Sequence, residues 1–128
     1  MPGVQRQVVS SGNPMEAQVG YARAVRVGSV VAVSGTCAVW PDGEVDPDPG
    51  VQARRALEIV GAALAEAGAS FADVVRTRIF VVDPGDFPAV AAAHGEVFAS
   101  VRPACSGLVV RALLDPRWKV EIEADAVV

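Results

Sequence analysis

Two residues near the C-terminus, Cys105 and Glu121, have side chains that could take part directly in a reaction. Glu121 follows Val120 in an alternating segment, where a carboxylate beside a ligand could act as a general base or orient a water molecule. The alternative role is structural. Arg76 and Arg78 alternate on another predicted strand, and a cross-strand charge pair of that kind contributes about 0.2–1 kcal/mol. On the residues alone, both roles for Glu121 stay open.

Cys105 also has two interpretations. It would be a nucleophile if Arg102 or backbone N–H groups stabilised its thiolate, since the thiolate is the reactive form. It would be inert as a small packed side chain, because free cysteine is among the most buried residue types. Cys37 has a weaker claim, which rests only on its place after Ser34-Gly35-Thr36. The two cysteines lack C-x-x-C spacing, which argues against a disulfide framework or a zinc site.

The remaining chemistry is constrained by what the chain lacks. The single histidine, His94, falls on an apolar helical stripe, where we expect it to be packed and hydrogen-bonded. One histidine excludes a multi-histidine metal centre within one chain, and no glycine-rich phosphate loop is present. We therefore expect no metal ion and no cofactor. The formal charge of −4 argues against nucleic acid as the main partner, since polyanion binding rests on clustered Lys and Arg.

Composition favours a water-soluble protein with one domain over residues 1–128. Of the 128 residues, 52% are hydrophobic, in short clusters. None approaches the roughly 18 consecutive apolar residues that a membrane span requires, so no membrane partner is expected. The N-terminus leads into no apolar segment with a small-residue cleavage site, which argues against a secretory signal. We expect a cytoplasmic protein.

Turn signals predict the elements of the first half of the chain. Residues 25–33 are rich in β-branched side chains and are broken by Gly28-Ser29, a pattern typical of a hairpin. Asp48 and Pro49 then predict the start of a helix, and Gly68 predicts its end. Apolar residues recur between them at helical spacing, so this helix should cover a sheet.

The second half predicts a strand, a helix and two further strands. Residues 74–82 should alternate between two faces. One face should carry Val75, Thr77, Ile79 and Val81. Turn formers at 83–86 lead into the second helix, and strands are expected near 105–111 and 119–127. Because the order ββαβαββ lacks a repeated βαβ unit, we expect an α+β fold in which a mixed β-sheet carries two helices on one face.

Nearly the whole chain resembles the RidA/YjgF family, also labelled reactive-intermediate deaminases or endoribonuclease L-PSP-like proteins. The most specific similarity lies in Pro103-Ala104-Cys105-Ser106-Gly107-Leu108, Arg111, Leu113 and Val120-Glu121-Ile122. Supporting matches include Gly20-Tyr21, Val33-Ser34-Gly35, Gln52, Ala67-Gly68 and Phe98. The resemblance implies a chorismate-mutase-like fold and a homotrimer whose three sheets form a central β-barrel, with each ligand cleft between adjacent subunits.

The resemblance also implies an activity. In the deaminase members an arginine grips the carboxylate of an unstable enamine or imino acid, and water held by a glutamate adds to the imine carbon, releasing ammonia and a 2-keto acid. By position, Glu121 matches that glutamate. The resemblance and the signature segment together give a substrate-binding set of Tyr21, Ser34, Gly35, Arg102, Ala104 and Ser106.

Cys105 is the main departure from the family pattern, because it occupies the position of the carboxylate-gripping arginine. A thiol lacks the charged bidentate fork whose hydrogen bonds are worth about 1.5–3 kcal/mol. Unless Arg102 or another subunit supplies the charge, a small imino acid should bind poorly.

Two functions therefore stay open. One is a hydrolase for a small imine, enamine or related reactive metabolite, with Glu121 and Cys105 as its catalytic residues. The other is a non-catalytic small-molecule-binding or regulatory protein. The family's ribonuclease label is disfavoured by the acidic balance and the lone His94.

Overall fold

The structure is a computed structural model that describes residues 5–128. Residues 1–4, part of the segment expected to carry no secretory signal, lie outside the described residues. The strands are β1 (Arg6–Val9), β2 (Ala24–Val27), β3 (Val30–Thr36), β4 (Val74–Val81), β5 (Ala104–Val109) and β6 (Val120–Val127). The helices are α1 (Met15–Val19), α2 (Pro49–Glu66) and α3 (Phe87–Phe98).

The strands form a single six-stranded sheet in the order β1-β2-β3-β6-β4-β5. Strands β4 and β5 run parallel, and the other neighbouring pairs are antiparallel. The buried residues of α2 and α3 share one core with alternate residues of the strands. This arrangement confirms the predicted α+β fold, with a mixed sheet and two helices on one face.

Strand β6 shows how the alternating sequence fixes the two faces of the sheet. Its apolar residues are at most 2% exposed and point into the core: Val120, Ile122, Ala124 and Ala126. The intervening acidic residues are half-buried on the opposite face: Glu121, Glu123 and Asp125. We call this second side of the sheet the open face, because neither α2 nor α3 covers it. Burying each large aliphatic side chain contributes about 1.5–3 kcal/mol, so the register of β6 is firmly set.

Helix α2 begins and ends where the sequence predicts. The Asp48 carboxylate accepts hydrogen bonds from the backbone N–H groups of Gly50 and Val51 at 2.8 and 3.0 Å. Gly68 follows the helix with a φ of 81°, a conformation that favours glycine. The buried stripe of α2 includes Leu57, Val60 and Leu64, and this stripe attaches the helix to the sheet.

A buried amide ties α2 to the start of β6. Gln52 is fully buried, and its Nε2 donates to the backbone oxygens of Asp46 and Arg117 at 2.8 and 3.0 Å. Its Oε1 accepts from the backbone N–H of Lys119 at 2.9 Å. All three bonds satisfy groups that would otherwise lose water on folding. Gln52 therefore fixes the backbone two residues before Glu121.

Three details differ from the sequence expectation. Strand β1 and helix α1 were not predicted, and each is short, with Val9 and Glu16 as their buried residues. In β4 the pairing with β6 shifts register between Val74 and Arg76. Such a bulge reverses the alternation locally. As a result Val74 is buried and Val75 is 49% exposed, so the predicted placement of Val75 beside Thr77 is wrong.

Candidate active site

Glu121 lies on the open face, and the described residues give it no cationic partner. Its neighbour in β4 is Phe80. Within residues 5–128 no Lys or Arg forms an ion pair with Glu121. The structural alternative, a cross-strand pair with Arg76 or Arg78, is therefore not observed. Arg78 instead contacts Glu123, at 2.9 Å.

Each oxygen of the Glu121 carboxylate has a distinct neighbour. Oε1 accepts a hydrogen bond from the Cys37 thiol at an S···O distance of 3.6 Å. Oε2 lies over Gly35, where an added Cβ would be only 2.7 Å away. Gly35 sits at the register shift of β3 between Val33 and Thr36. The carboxylate can occupy this position because residue 35 has no side chain.

The end of β3 is held from the β2 side. Arg23 donates from Nη2 to the backbone oxygen of Gly35 at 2.6 Å, while its Nε is buried without a hydrogen-bond partner. The Ser34 hydroxyl donates to the backbone oxygen of Ala22 at 2.6 Å. These contacts fix the backbone of Ser34 and Gly35 at the end of β3, where Gly35 lies against Glu121.

Tyr21 lies near the same end of β3, and helix α1 holds its backbone in place. Glu16 is buried and accepts from the Ser11 backbone N–H at 3.0 Å and from its hydroxyl at 2.5 Å. The hydroxyl bond is the main reason that the pKa of Glu16 is lowered. The backbone oxygen of Glu16 in turn accepts from the N–H of Tyr21 at 2.9 Å. Sequence reasoning missed this anchor, because an acidic residue in a short polar segment gives no signal of burial.

An open depression of about 530 Å³ adjoins this corner on the open face. Tyr21 and Ser34 line it together with Arg6, Glu123 and Asp125. Glu121 lies outside the lining. The depression therefore lies next to Glu123 and Asp125 in β6, and it does not enclose the Glu121 carboxylate.

Cys105 lies in the edge strand β5, on the helix-facing side of the sheet, whereas Glu121 lies on the open face. It is in register with Thr77, whose buried side chain faces the helices. Two residues on, a Cβ added at Gly107 would meet the ring of Phe87 in α3, so this row of β5 faces the helices. Cys105 itself is exposed, and its interpretation as a buried side chain is wrong for the single chain. One chain therefore does not bring Cys105 to Glu121.

The residues that flank Cys105 in β5 do not share its face of the sheet. Ala104 and Ser106 are in register with Arg76 and Arg78, so they belong to the open face. Arg102 is exposed, and its φ of 56° is in the left-handed region. Its backbone N–H donates to the Phe98 carbonyl at 2.8 Å, which closes α3 just before β5. Its backbone is thus fixed, while its guanidinium is free of ion pairs within the described residues.

Cys37 received little weight from the sequence, yet it is the thiol that touches Glu121. Burial raises the pKa of the Cys37 thiol, and the Glu121 carboxylate raises it further. Cys37 therefore stays protonated near neutral pH and acts as a hydrogen-bond donor. Its place two residues after Gly35 was the available signal, and it did not reveal a partner 84 residues away.

His94 has the packed, hydrogen-bonded role that we expected. Its Nε2 lies 2.8 Å from the Thr77 hydroxyl, and its ring lies 4.6 Å from that of Phe98. Burial lowers the pKa of His94, which favours the neutral ring.

Residues 5–128 contain no cluster of three or more His, Cys, Asp or Glu side chains arranged to hold a metal ion. In the same part of the chain, no helix has the length and apolar character needed to span a membrane.

Comparison with known proteins gives a consistent family. The profile described as Endoribonuclease L-PSP matches residues 11–128. A crystal structure of Rv2704 from Mycobacterium tuberculosis, described as a member of the YjgF/YER057c/UK114 family, superposes with a TM-score of 0.90. It is 45% identical, and the match covers 97% of this chain and 100% of that one.

Two curated sequences are also similar over most of their length. SCO2049 from Streptomyces coelicolor is 41% identical over 92% of this chain and 89% of its own. The 2-iminobutanoate/2-iminopropanoate deaminase of Escherichia coli K12 is 39% identical over 84% of this chain and 86% of its own. With a family profile spanning all but the first residues and an open sheet face that carries Glu121, the chain belongs to the endoribonuclease L-PSP family, the RidA/YjgF family that its sequence resembles.

Proposed function

We propose that this protein is a hydrolase that deaminates a small imine or enamine in a cleft between subunits of a cytoplasmic homotrimer. Water adds to the imine carbon, the C–N bond breaks, and the products are a carbonyl compound and ammonia. Glu121 holds and activates the water. The observation that carries the proposal is the half-buried Glu121 carboxylate, which has no ion-pair partner among residues 5–128. One of its oxygens is anchored, and the other lies over Gly35.

The family supports the reaction class. A relative that is 39% identical is named 2-iminobutanoate/2-iminopropanoate deaminase. General acid–base catalysis by one positioned side chain contributes typically about 10²–10⁴-fold. A carboxylate whose charge is not already engaged by an arginine is suited to that role, because it keeps the capacity to accept a proton from water.

Two features of the open face support an assembly. It exposes large apolar side chains that a lone chain would leave in water: Val8, Val27, Val30, Leu108 and Val127. Exposed apolar surface of this kind marks interaction sites. The chain also holds Cys105 and Glu121 on opposite faces, so a cleft containing both needs β5 of one subunit beside β6 of another. A homotrimer with a central barrel would satisfy both features.

The substrate end of the cleft is where this chain departs from the family pattern. Cys105 replaces the arginine that would grip a carboxylate, and its exposed thiol offers no permanent charge. Arg102 is exposed and three residues away along the chain. We propose that the substrate either lacks a carboxylate at the Cys105 end or has its carboxylate held by Arg102. Ala104 and Ser106 complete that end of the cleft.

A binding or regulatory role is the second candidate, because the loss of a charged substrate contact at Cys105 also fits a protein that holds a metabolite without converting it. A ligand that is bound but not consumed raises the melting temperature by mass action. Measurement of melting temperature and ammonia release with the same compounds separates the two candidates.

The experiment is a panel of imines generated in situ by amino-acid and amine oxidases, with and without a carboxylate. We expect the protein to accelerate ammonia release from at least one class. Arg102→Gln should reduce activity on carboxylate-bearing imines alone if Arg102 holds that group. Stabilisation by a compound without any acceleration, across both classes, would reject the hydrolase in favour of the binder.

A further inference from the structure

Cys37 is buried directly beside the Glu121 carboxylate. It lies just after β3 and is 8% exposed. Its Sγ is 3.6 Å from Oε1 of Glu121, a distance suited to the larger radius of sulfur. The next residue, Ala38, is fully buried, and its backbone oxygen accepts from the Trp118 indole at 3.0 Å. The backbone that carries the thiol is therefore fixed.

We propose that Cys37 is a positioning residue: its thiol holds Oε1 of Glu121, so that Oε2 stays over Gly35 and is free to bind the attacking water. This inference rests on the proposed function. It assigns a role to a buried side chain that does not itself touch the substrate.

The thiol can do this because it remains neutral. Burial and the adjacent carboxylate both raise the pKa of Cys37, while Arg23 opposes them more weakly. A protonated thiol next to a carboxylate can only donate, so the direction of the hydrogen bond is fixed. The same environment makes Cys37 a poor nucleophile, because the reactive form is the thiolate.

A weak neutral donor suits a catalytic carboxylate better than a cation does. A bidentate arginine would engage both oxygens and offset the charge. The thiol engages one oxygen through a weak bond and leaves the net charge in place. Gly35 completes the arrangement, since any side chain there would collide with Oε2. Cys37 and Gly35 therefore give the two carboxylate oxygens of Glu121 different surroundings.

The contact can be tested without any substrate. In a Cys105→Ala background Cys37 is the only thiol, and its S–H stretching band falls in an otherwise empty region of the infrared spectrum. We expect Glu121→Ala to shift this band to higher frequency, because the acceptor is removed. The matched change Glu123→Ala should leave it in place. A band that Glu121→Ala does not move would overturn the proposal.

The positioning role is tested by kinetics in the wild-type background. Cys37→Ser keeps a donor at the same position, whereas Cys37→Ala removes it with little change in volume. We expect Cys37→Ala to lower kcat about 3- to 10-fold, the range that corresponds to one net hydrogen bond, with KM within about twofold. Cys37→Ser should restore most of kcat. Equal losses in both variants, or full kcat in Cys37→Ala, would contradict the positioning role.

These outcomes are distinct from failure of the proposed function. If the wild-type protein accelerates no imine hydrolysis, the hydrolase proposal and the kinetic role of Cys37 fail together. The infrared band would then still decide whether the thiol holds Glu121, as a feature of a binding site.

Discussion

Glu121 and Glu123 are two residues apart on the same strand and the same face, yet they have different environments. Glu123 is in register with Arg78 and forms an ion pair with it at 2.9 Å. Glu121 is in register with Phe80, and its one side-chain hydrogen-bond donor in the described part of the chain is the Cys37 thiol. One carboxylate is held by a full charge, and the other is held by a weak neutral donor.

The difference shows that one face of a sheet can carry a carboxylate that pairs two strands and another that is left available for a reaction. A partly exposed ion pair contributes about 0–1 kcal/mol, so the Glu123 pair fits an ordinary role in cross-strand pairing. A half-buried carboxylate in register with Phe80 gains no such pairing energy. Positions that break a local stability rule without compensation are expected at functional sites. The identity of residue 80, an aromatic where residue 78 is an arginine, creates this position.

The most disruptive test gives Glu121 the partner that Glu123 already has. Phe80→Arg places a guanidinium in register with Glu121, which should engage both oxygens and lower imine hydrolysis by about 10²–10⁴-fold, the usual contribution of a general base. Phe80→Leu is the matched control and should keep most of the activity. Ammonia release measures both. Undiminished turnover in Phe80→Arg would show that a free carboxylate is not required.

A smaller change moves the carboxylate without altering its charge. Gly35→Ala adds a Cβ that would lie 2.7 Å from Oε2 of Glu121. The displaced atom ends a flexible side chain, so we expect the fold to be retained. A shift of about 1 Å at a catalytic group can cost up to about 10²-fold, and we expect a loss of that order. In a Glu121→Gln background, Gly35→Ala should have little further effect. A full additional loss there would mean that Gly35 acts independently of Glu121.

The smallest expected effect is on the pH dependence of stability. It concerns His94, which lies on the helix-facing side of the sheet and not on the open face. Because burial lowers the pKa of His94, the folded state binds its proton less readily than the unfolded state. The free energy of unfolding should therefore rise with pH up to the unfolded value of about 6.5 and level off above it. Urea unfolding at several pH values should show this rise in the wild type and lose it in His94→Gln. An identical pH profile in both proteins would contradict the assignment.

Much of the fold could be predicted because its signals are local. The Gly28-Ser29 turn, the Asp48 cap and the alternation of β6 each determine structure within a few residues, and each was confirmed. The bulge at Val74 and the short elements β1 and α1 could not be predicted. The bulge and β1 depend on pairing with other strands, for which side-chain type alone gives no register. Helix α1 depends on the burial of Glu16, which its polar sequence does not signal.

The candidate site, like the fold, could be predicted only in part from the sequence. The position of Glu121 on an outward-facing row follows from alternation. Its place beside Gly35 depends on the pairing of β3 with β6, which the sequence did not indicate. Its contact with Cys37 joins residues 84 positions apart and needed the structure. The separation of Cys105 from Glu121 was equally hidden, because the motif places both residues in one signature without stating which face each occupies.

Glu121 and Glu123 should have different roles, and a paired measurement separates them. Glu121→Gln and Glu123→Gln are purified as oligomers of verified mass, and ammonia release is measured with the best imine substrate. We expect a loss of at least about 10²-fold for Glu121→Gln with an unchanged melting temperature. For Glu123→Gln we expect near-normal turnover, with a stability loss of at most about 1 kcal/mol. Equal activity in the two variants would mean that Glu121 has no catalytic role that Glu123 lacks.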